Sequence, residues 1–345
     1  MTRRIALCVL ILAAQNLAAM TTGVITSRPP APHDGRPINF VQGAALVSLG
    51  GATILLFATA GACCFAPGDG AWEGIYVYHQ RQWYPLWAAD DWGANSRDEH
   101  EVTYASPVVW DHPQGPLWFA AYAATRASTI GQSRRVHIGF AATRLHPLQR
   151  WPIRAAEWIR PAGPDVWGIF PIALLAGPDD MLTLWAWDHS ARAVIMYIVD
   201  ADARAWPRRI ATFAGLGPAD VPPALTDIAR GADGWLYALE GLSHTTDVVR
   251  EWVSRPAWGV ATGQYWELSG RTWSYPGGTT FDCGFTRDVH GALVEPRLVI
   301  CNWSPQGVYA DTGAWVLRWF ADPGAIIPPD WVERPPARTI RRGGQ

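Results

Sequence analysis

The sequence predicts an all-β fold, a five-bladed β-propeller with four antiparallel strands per blade. Three observations carry this reading. Apolar hairpins recur along the chain, each is followed by a third strand, and a tryptophan then opens a fourth. The hairpins span residues 44–58, 107–123, 169–187, 225–239 and 281–303, with turns at Gly50-Gly51, Gln114-Gly115, Gly177 to Asp180, Asp233-Gly234 and His290-Gly291. Third strands follow at 74–79, 135–143, 193–200, 247–254 and 314–320. The tryptophans are Trp83, Trp151, Trp206, Trp266 and Trp331, roughly 55 to 70 residues apart and so on a longer period than WD40 repeats.

A four-stranded blade cannot bury both of its faces alone, so blades pack on their neighbours until the ring closes. Inner strands should then be apolar on both faces, while outer ones alternate. Residues 117–122 and 182–187 are nearly continuous apolar runs, whereas 248–253 is interrupted by Arg250 and Glu251. The five tryptophans are expected to pack between blades, with a flat platform for a sugar face as the minority role. An irregular β-sandwich of similar strand content is the alternative architecture.

Composition bounds the rest. The chain has 345 residues, is 49% hydrophobic and carries a formal net charge of −2. That suffices for a large core and gives no broad basic field to attract nucleic acid. Every basic residue other than histidine is arginine. Arg3-Arg4 precede the apolar run 5–14, and Leu17-Ala18-Ala19 offers a small-residue cleavage site, the layout of a secretory signal. The apolar run either ends there or continues through Ile25 as an uncleaved membrane anchor. Residues 1–26 are therefore expected as signal peptide or anchor, 27–37 as a Pro-rich linker, 38–333 as the propeller and 334–345 as an Arg/Pro/Gly-rich tail. An extracytoplasmic location follows. The uncharged stretch 37–68 is long enough to cross a membrane, but Gly50-Gly51 breaks it into two short strands.

The layout resembles the five-bladed propellers of the glycosidase superfamily that includes arabinanases, xylosidases and invertases. The likeness runs from Asn39 to Trp331, and Asp282 to Asp288 followed by His290-Gly291 looks like a fifth-blade opening in such proteins. The resemblance implies hydrolysis of a poly- or oligosaccharide by carboxylates at the axial mouth: a base Asp on the first blade, an orienting Asp on the third and an acid Glu on the fourth. One carboxyl must keep its proton for the leaving oxygen while another stays ionised. The chain departs from that pattern. Its first blade opens on Asn39-Phe40-Val41-Gln42, its third on Trp167-Gly168-Ile169-Phe170, and its fourth carries Asp227, with Glu240 assigned to the far end of the second strand.

Candidates follow from position. Asp227 and Asp282 lie among apolar residues on inner strands, where burial raises a carboxyl pKa unless a donor answers it; each could equally accept backbone N–H bonds from a nearby turn. Glu101 and Glu99, in a charged run before the second blade, are placed to overhang the mouth. Asp227, Asp282 and Glu101 are the catalytic candidates, and Asn39, Trp167, Asp165 and Glu99 the substrate-binding ones. Arg287 and Asp288 read as a local ion pair, and His290 as a turn residue. The histidines and cysteines lack zinc-site spacing, so neither metal nor cofactor is expected. Once a signal is removed, Cys63, Cys64, Cys283 and Cys301 allow three pairings; a bridge within the fifth hairpin, a bridge across the ring seam and four free thiols all remain open. A non-catalytic propeller binding a glycan or a protein at the cell surface is the competing function.

Overall fold

Among the described residues of the computed structural model, every regular element is a strand. Those residues are 20–25, 40–61, 73–88, 101–125, 136–155, 158–163, 168–177, 181–217, 220–241, 248–255, 263–274, 277–304 and 316–332. No helix among them is long and apolar enough to cross a membrane.

The strands are β1 (Thr21–Ile25), β2 (Phe40–Gly50), β3 (Thr53–Gly61), β4 (Glu73–His79) and β5 (Gln82–Ala88). Next come β6 (Glu101–Trp110), β7 (Leu117–Thr125), β8 (Val136–Thr143) and β9 (Ile153–Arg154). The third group is β10 (Ile169–Ala176), β11 (Leu182–Asp188), β12 (Ala193–Val199) and β13 (Ala205–Ile210). Then follow β14 (Thr212–Phe213), β15 (Leu225–Arg230), β16 (Leu236–Glu240), β17 (Val248–Ser254) and β18 (Tyr265–Ser274). The last are β19 (Thr279–Asp288), β20 (Leu298–Ser304) and β21 (Val316–Ala321).

They form four sheets, ordered β6-β7-β8-β9, β10-β11-β12-β13, β14-β18-β17-β16-β15 and β1-β21-β20-β19-β2-β3-β4-β5. The last sheet joins two meanders through a parallel pairing of β19 with β2 at Thr286–Asp288 and Leu46–Ser48. Each meander starts from the strand expected to be innermost. These strands form a closed circuit: β2 lies against β6, β6 against β10, β10 against β15 and β15 against β19, which pairs back onto β2. Burial falls from the inside outward. β10 to β12 are almost wholly buried, while β13 is exposed along nearly its whole length.

Three expectations change at the ring's outer edge. Trp331 is buried but sits in a turn, not in a strand. The strand beside β21 is instead β1, paired from Thr21↔Ala321 to Ile25↔Leu317. Residues 21–25, assigned from sequence to the end of a leader or anchor, are the strand β1 of this sheet. Trp83, Trp151 and Trp266 are buried as expected, whereas Trp206 is 44% exposed. Residues 1–19, the linker 27–37 and the tail 334–345 lie outside the described residues.

The circuit's centre is filled by one side chain. Arg287 of β19 is 1% exposed. It donates to Ser106 Oγ (3.2 Å) on β6, the Ile228 carbonyl (3.4 Å) on β15 and the Leu174 carbonyl (3.5 Å) on β10. Its counter-ion is Asp227 at 3.3 Å, not Asp288, whose Oδ1 accepts from the His290 and Ala292 amides of the hairpin turn. That turn closes one end of the axis. Val109 N bonds the Val289 carbonyl (2.6 Å), Ala176 N the His290 carbonyl (3.0 Å) and Arg230 N the Gly291 carbonyl (3.2 Å). These donors sit at the C-terminal ends of β6, β10 and β15. Gly291, at φ +88°, leaves no room for a Cβ, which would stand 2.6 Å from Leu175 Cδ2.

Cys283 of β19 and Cys301 of β20 are joined by a disulfide, the within-hairpin alternative; Cys63 and Cys64 lie outside the described residues. Replacing Arg287 by methionine leaves Asp227 buried without its counter-ion and should lower the unfolding free energy by about 3–5 kcal/mol. Adding Asp227→Asn to Arg287→Met should recover part of that loss in urea unfolding. A double variant no more stable than Arg287→Met would contradict the pairing.

Candidate active site at the axial mouth

With one end of the axis closed, the N-terminal ends of the inner strands form the mouth. At this end each of the five carries one extra residue against its hairpin partner. The irregularities fall between Gln42 and Ala45, Thr103 and Ser106, Pro171 and Ala173, Leu225 and Asp227, and Phe281 and Gly284. A bulge re-aims the side chain at its apex and is common beside active sites. The apex residues include Gly43, Tyr104 and Asp282, all at positive φ (61°, 55° and 48°). For tyrosine and aspartate that conformation is strained and persists only where the surroundings enforce it. At Gly43 a Cβ would come within 3.0 Å of the Tyr104 ring, so glycine makes the space in which Tyr104 sits.

Asp282 is half-buried at this mouth. Its amide bonds the Gly241 carbonyl at 3.2 Å, and Oδ2 accepts from Asn302 Nδ2 at 3.4 Å. Burial pushes the carboxyl up from 3.8 to about 7, against the opposing hydrogen bonds from Asn302 and Tyr104. The buried Asn302 Oδ1 has no hydrogen-bond partner, leaving an acceptor beside the acid. Tyr104 N bonds Thr59 Oγ1 at 3.0 Å. An aromatic wall continues from Tyr104 through Phe170 (centroids 5.5 Å apart, edge to face) to His189 (5.8 Å), which also stands edge-on to Trp187 (5.5 Å). Phe170, Trp187 and His189 are all half-buried.

Asp227, next to the β15 bulge, has a different role. It is 3% exposed, with Oδ2 accepting from Phe285 N (2.8 Å), Oδ1 from Ile228 N (2.9 Å) and Arg287 beside it. Desolvation still outweighs these partners and raises its pKa to about 6. Its oxygens join β15 to β19 inside the ring, so of the two inner-strand aspartates only Asp282 reaches the mouth. Glu101 begins β6 opposite Thr125; Asn39, Glu99, Asp165 and Trp167 lie outside the described residues.

Glu240 corrects an expectation. It is paired in register with Leu225 at the start of β15 and therefore lies at the mouth end, because β16 runs back antiparallel to β15. Its carboxylate is ion-paired with Arg250 at 2.5 Å and accepts from Trp252 Nε1 at 2.6 Å. Gly241, the next residue, supplies the carbonyl bonded to Asp282 N. Counting strand direction would have found it. Tyr104, Asn302 and the aromatic wall had no sequence signal, since their neighbourhood arises only from the bulges. Among the described residues, no group of three or more His, Cys, Asp or Glu is arranged to hold a metal ion.

The backbone is similar to those of known glycoside hydrolases. A family 117 glycoside hydrolase from the marine bacterium Zobellia galactanivorans superposes with a TM-score of 0.55 at 11% identity, over 88% of this chain and 90% of its own. Fructan 1-exohydrolase IIa from Cichorium intybus gives 0.54 at 14% identity, over 87% and 57%. An exo-β-1,3-galactanase from Phanerochaete chrysosporium, solved with β-1,3-galactotriose, gives 0.54 at 11% identity, over 87% and 64%. The chain thus spans less than two thirds of the exohydrolase and the galactanase. No family model matches the sequence, and no curated protein matches it. The fold is that of the β-propeller glycoside hydrolases.

Asp282 also sets a pH signature. Its folded pKa of about 7 lies above the ordinary 3.8, so the folded state favours the protonated carboxyl. That contribution is complete below about 3.8 and is lost as pH rises through 7. The melting temperature of the wild type minus that of Asp282→Asn should therefore fall as pH rises from 4 to 8. A flat difference would remove the raised pKa from the account.

Proposed function

We propose that this chain is an exported, five-bladed, glycosidase-like propeller that acts on a poly- or oligosaccharide at its axial mouth, with Asp282 as the acid. Asp282 is the observation that carries the reading: a carboxyl with a pKa of about 7, on a strained bulge, where the inner strands converge. At neutral pH about half of such a group holds a proton, which suits donation to a leaving glycosidic oxygen. The five-blade reading is supported by the circuit of five inner strands and by four strands in four of the units, β1 completing the last, while the unit of β15 adds the two-residue β14 to its four.

Hydrolysis by the two-carboxylate route needs a partner group, about 5–5.5 Å away for retention or 6.5–9.5 Å for inversion. Glu240 is one candidate, and Glu101 at the start of β6, with Glu99 and Asp165 shortly before β6 and β10 in the sequence, are others. Asn39 and Trp167, just before β2 and β10, are the proposed substrate contacts. Export is supported by the disulfide, which suits an oxidising compartment. Cleavage after Ala19 would leave β1 whole, which favours a cleaved signal over an anchor through Ile25.

A second reading, binding without turnover, is favoured by Glu240, both of whose oxygens already have partners. The two separate on one panel of oligosaccharides that includes β-1,3-galactotriose and fructan fragments. Under the hydrolase reading the wild type releases product, and Asp282→Asn and one variant of Glu240, Glu101, Glu99 or Asp165 each lower kcat by about 100-fold or more. Calorimetric binding with no product, weakened by Trp167→Ala, would install the second reading. Neither product nor binding across the panel would overturn both.

A further inference from the structure

A cavity of about 490 Å³ opens far from the mouth, lined by Phe140, Trp158, Ile159, Arg160, Arg204 and Trp206 among others. It lies where the outer edges of two neighbouring sheets meet. Phe140 belongs to β8, and Ile159 bonds Ile138 of the same strand through both its amide and its carbonyl. Arg204 and Trp206 come from the turn into β13 and from β13 itself, the edge strand of the next sheet. Three strand spacings separate β13 from the inner strand β10, about 14 Å along the sheet.

The repeat supplies its own control. Trp83, Trp151 and Trp266, at the matching places of three other units, are all buried, whereas Trp206 stands 44% exposed. Packing between sheets therefore does not account for an indole here. An exposed ring beside a cavity within the usual volume of small-ligand sites is suited to stacking on the apolar face of a pyranose. The polar groups set the charge of the ligand. Arg160 lies over the Trp158 ring at 4.4 Å, which holds its planar guanidinium in place. Arg204 is exposed, and its partner Asp202, 3.7 Å away, is more exposed still; such a pair is easily exchanged for a better one. Arg208 and Arg209 follow on the same exposed edge strand. On a chain with a net charge of −2, this is a local concentration of guanidinium groups.

We propose that this cavity is a second saccharide site, independent of the axial mouth, which takes an oligosaccharide bearing carboxylate or sulfate groups. Trp206 stacks on a sugar ring, and Arg160 and Arg204 take the acidic group through paired N–H donors. The site holds an anionic chain on the outside of the ring whether or not the axial mouth performs hydrolysis.

Isothermal titration of the full chain with tetragalacturonate, a sulfated galactotetraose and neutral galactotetraose tests this. At least one anionic probe should bind, ten-fold or more tighter than the neutral one, and less tightly as salt is raised. Trp206→Ala and the double variant Arg160→Gln/Arg204→Gln should each weaken that binding ten-fold or more, with melting temperatures unchanged. Asp282→Asn should retain it, while any activity at the axial mouth should survive Trp206→Ala. Which anionic probe binds distinguishes a uronate from a sulfated glycan. The proposal is overturned if neither binds the wild type, if Trp206→Ala binds as the wild type does, or if Asp282→Asn alone abolishes binding.

Discussion

The structure depends on closing a ring of inner strands whose ladders, apart from β19 with β2, do not run from one to the next. Adjacent inner strands of different sheets offer each other side chains, and the axis they surround would otherwise be a polar channel lined by backbone. Arg287 resolves this. Its guanidinium can donate in several in-plane directions at once, and it uses them on strands from three sheets while Asp227 supplies the opposite charge. A lysine would bring the charge without the planar fork, and an aliphatic residue would leave Asp227 unanswered. The same strand then turns through Val289 to Leu293 and seals the axis below. With that end closed, the bulged ends of the inner strands mark the other end of the axis among the described residues.

This arrangement separates two aspartates that look alike in sequence. Asp227 and Asp282 both lie near the start of an inner strand and both have raised pKa values. Asp227 faces the strand wall, where two amides and a guanidinium converge on it. Asp282 occupies the apex of a bulge, and its neighbours are groups of the mouth: the Tyr104 side chain and the Asn302 amide. One ties two strands together inside the ring and the other lies at its mouth. A perturbed pKa alone does not distinguish these roles; the direction in which the bulge aims each side chain does.

Much of the architecture was legible in the sequence, because burial on both faces demands uninterrupted apolar strands and glycine marks the hairpin turns. All five inner hairpins and all five third strands stand where these signals put them. The reading failed where a strand's partner is distant. Trp331 was expected to open the last strand because four earlier tryptophans precede or begin one, but the edge of β21 is filled by β1 from the other end of the chain. No local pattern announces that. Trp206 fitted the period and yet lies in the open, since the period fixes its strand and not the depth of the groove beside it. At the mouth, Asp282 could be found from its apolar flanks, but Tyr104 and Asn302 could not. Their meeting is a product of ring geometry, and Glu240 was missed by placing a strand end on the wrong side.

Two pairings close the ring, and both are remote. β1 with β21 joins positions about 300 residues apart, and β19 with β2 joins positions about 240 apart. Closing a flexible loop of that size costs on the order of 5 kcal/mol beyond the constant term, and doubling its length adds only about 0.6 kcal/mol. The two closures lie in one sheet, so the first to form brings the ends together and the second adds its ladder at little further entropic cost. That coupling also explains why Arg287 stands where it does. It lies on the segment of β19 that pairs with β2, at Arg287↔Val47, so that the ladder closing the ring is the one that carries the guanidinium to the axis. Ring closure and filling of the centre are therefore one event, and the mouth that holds Asp282 takes shape only when it has occurred.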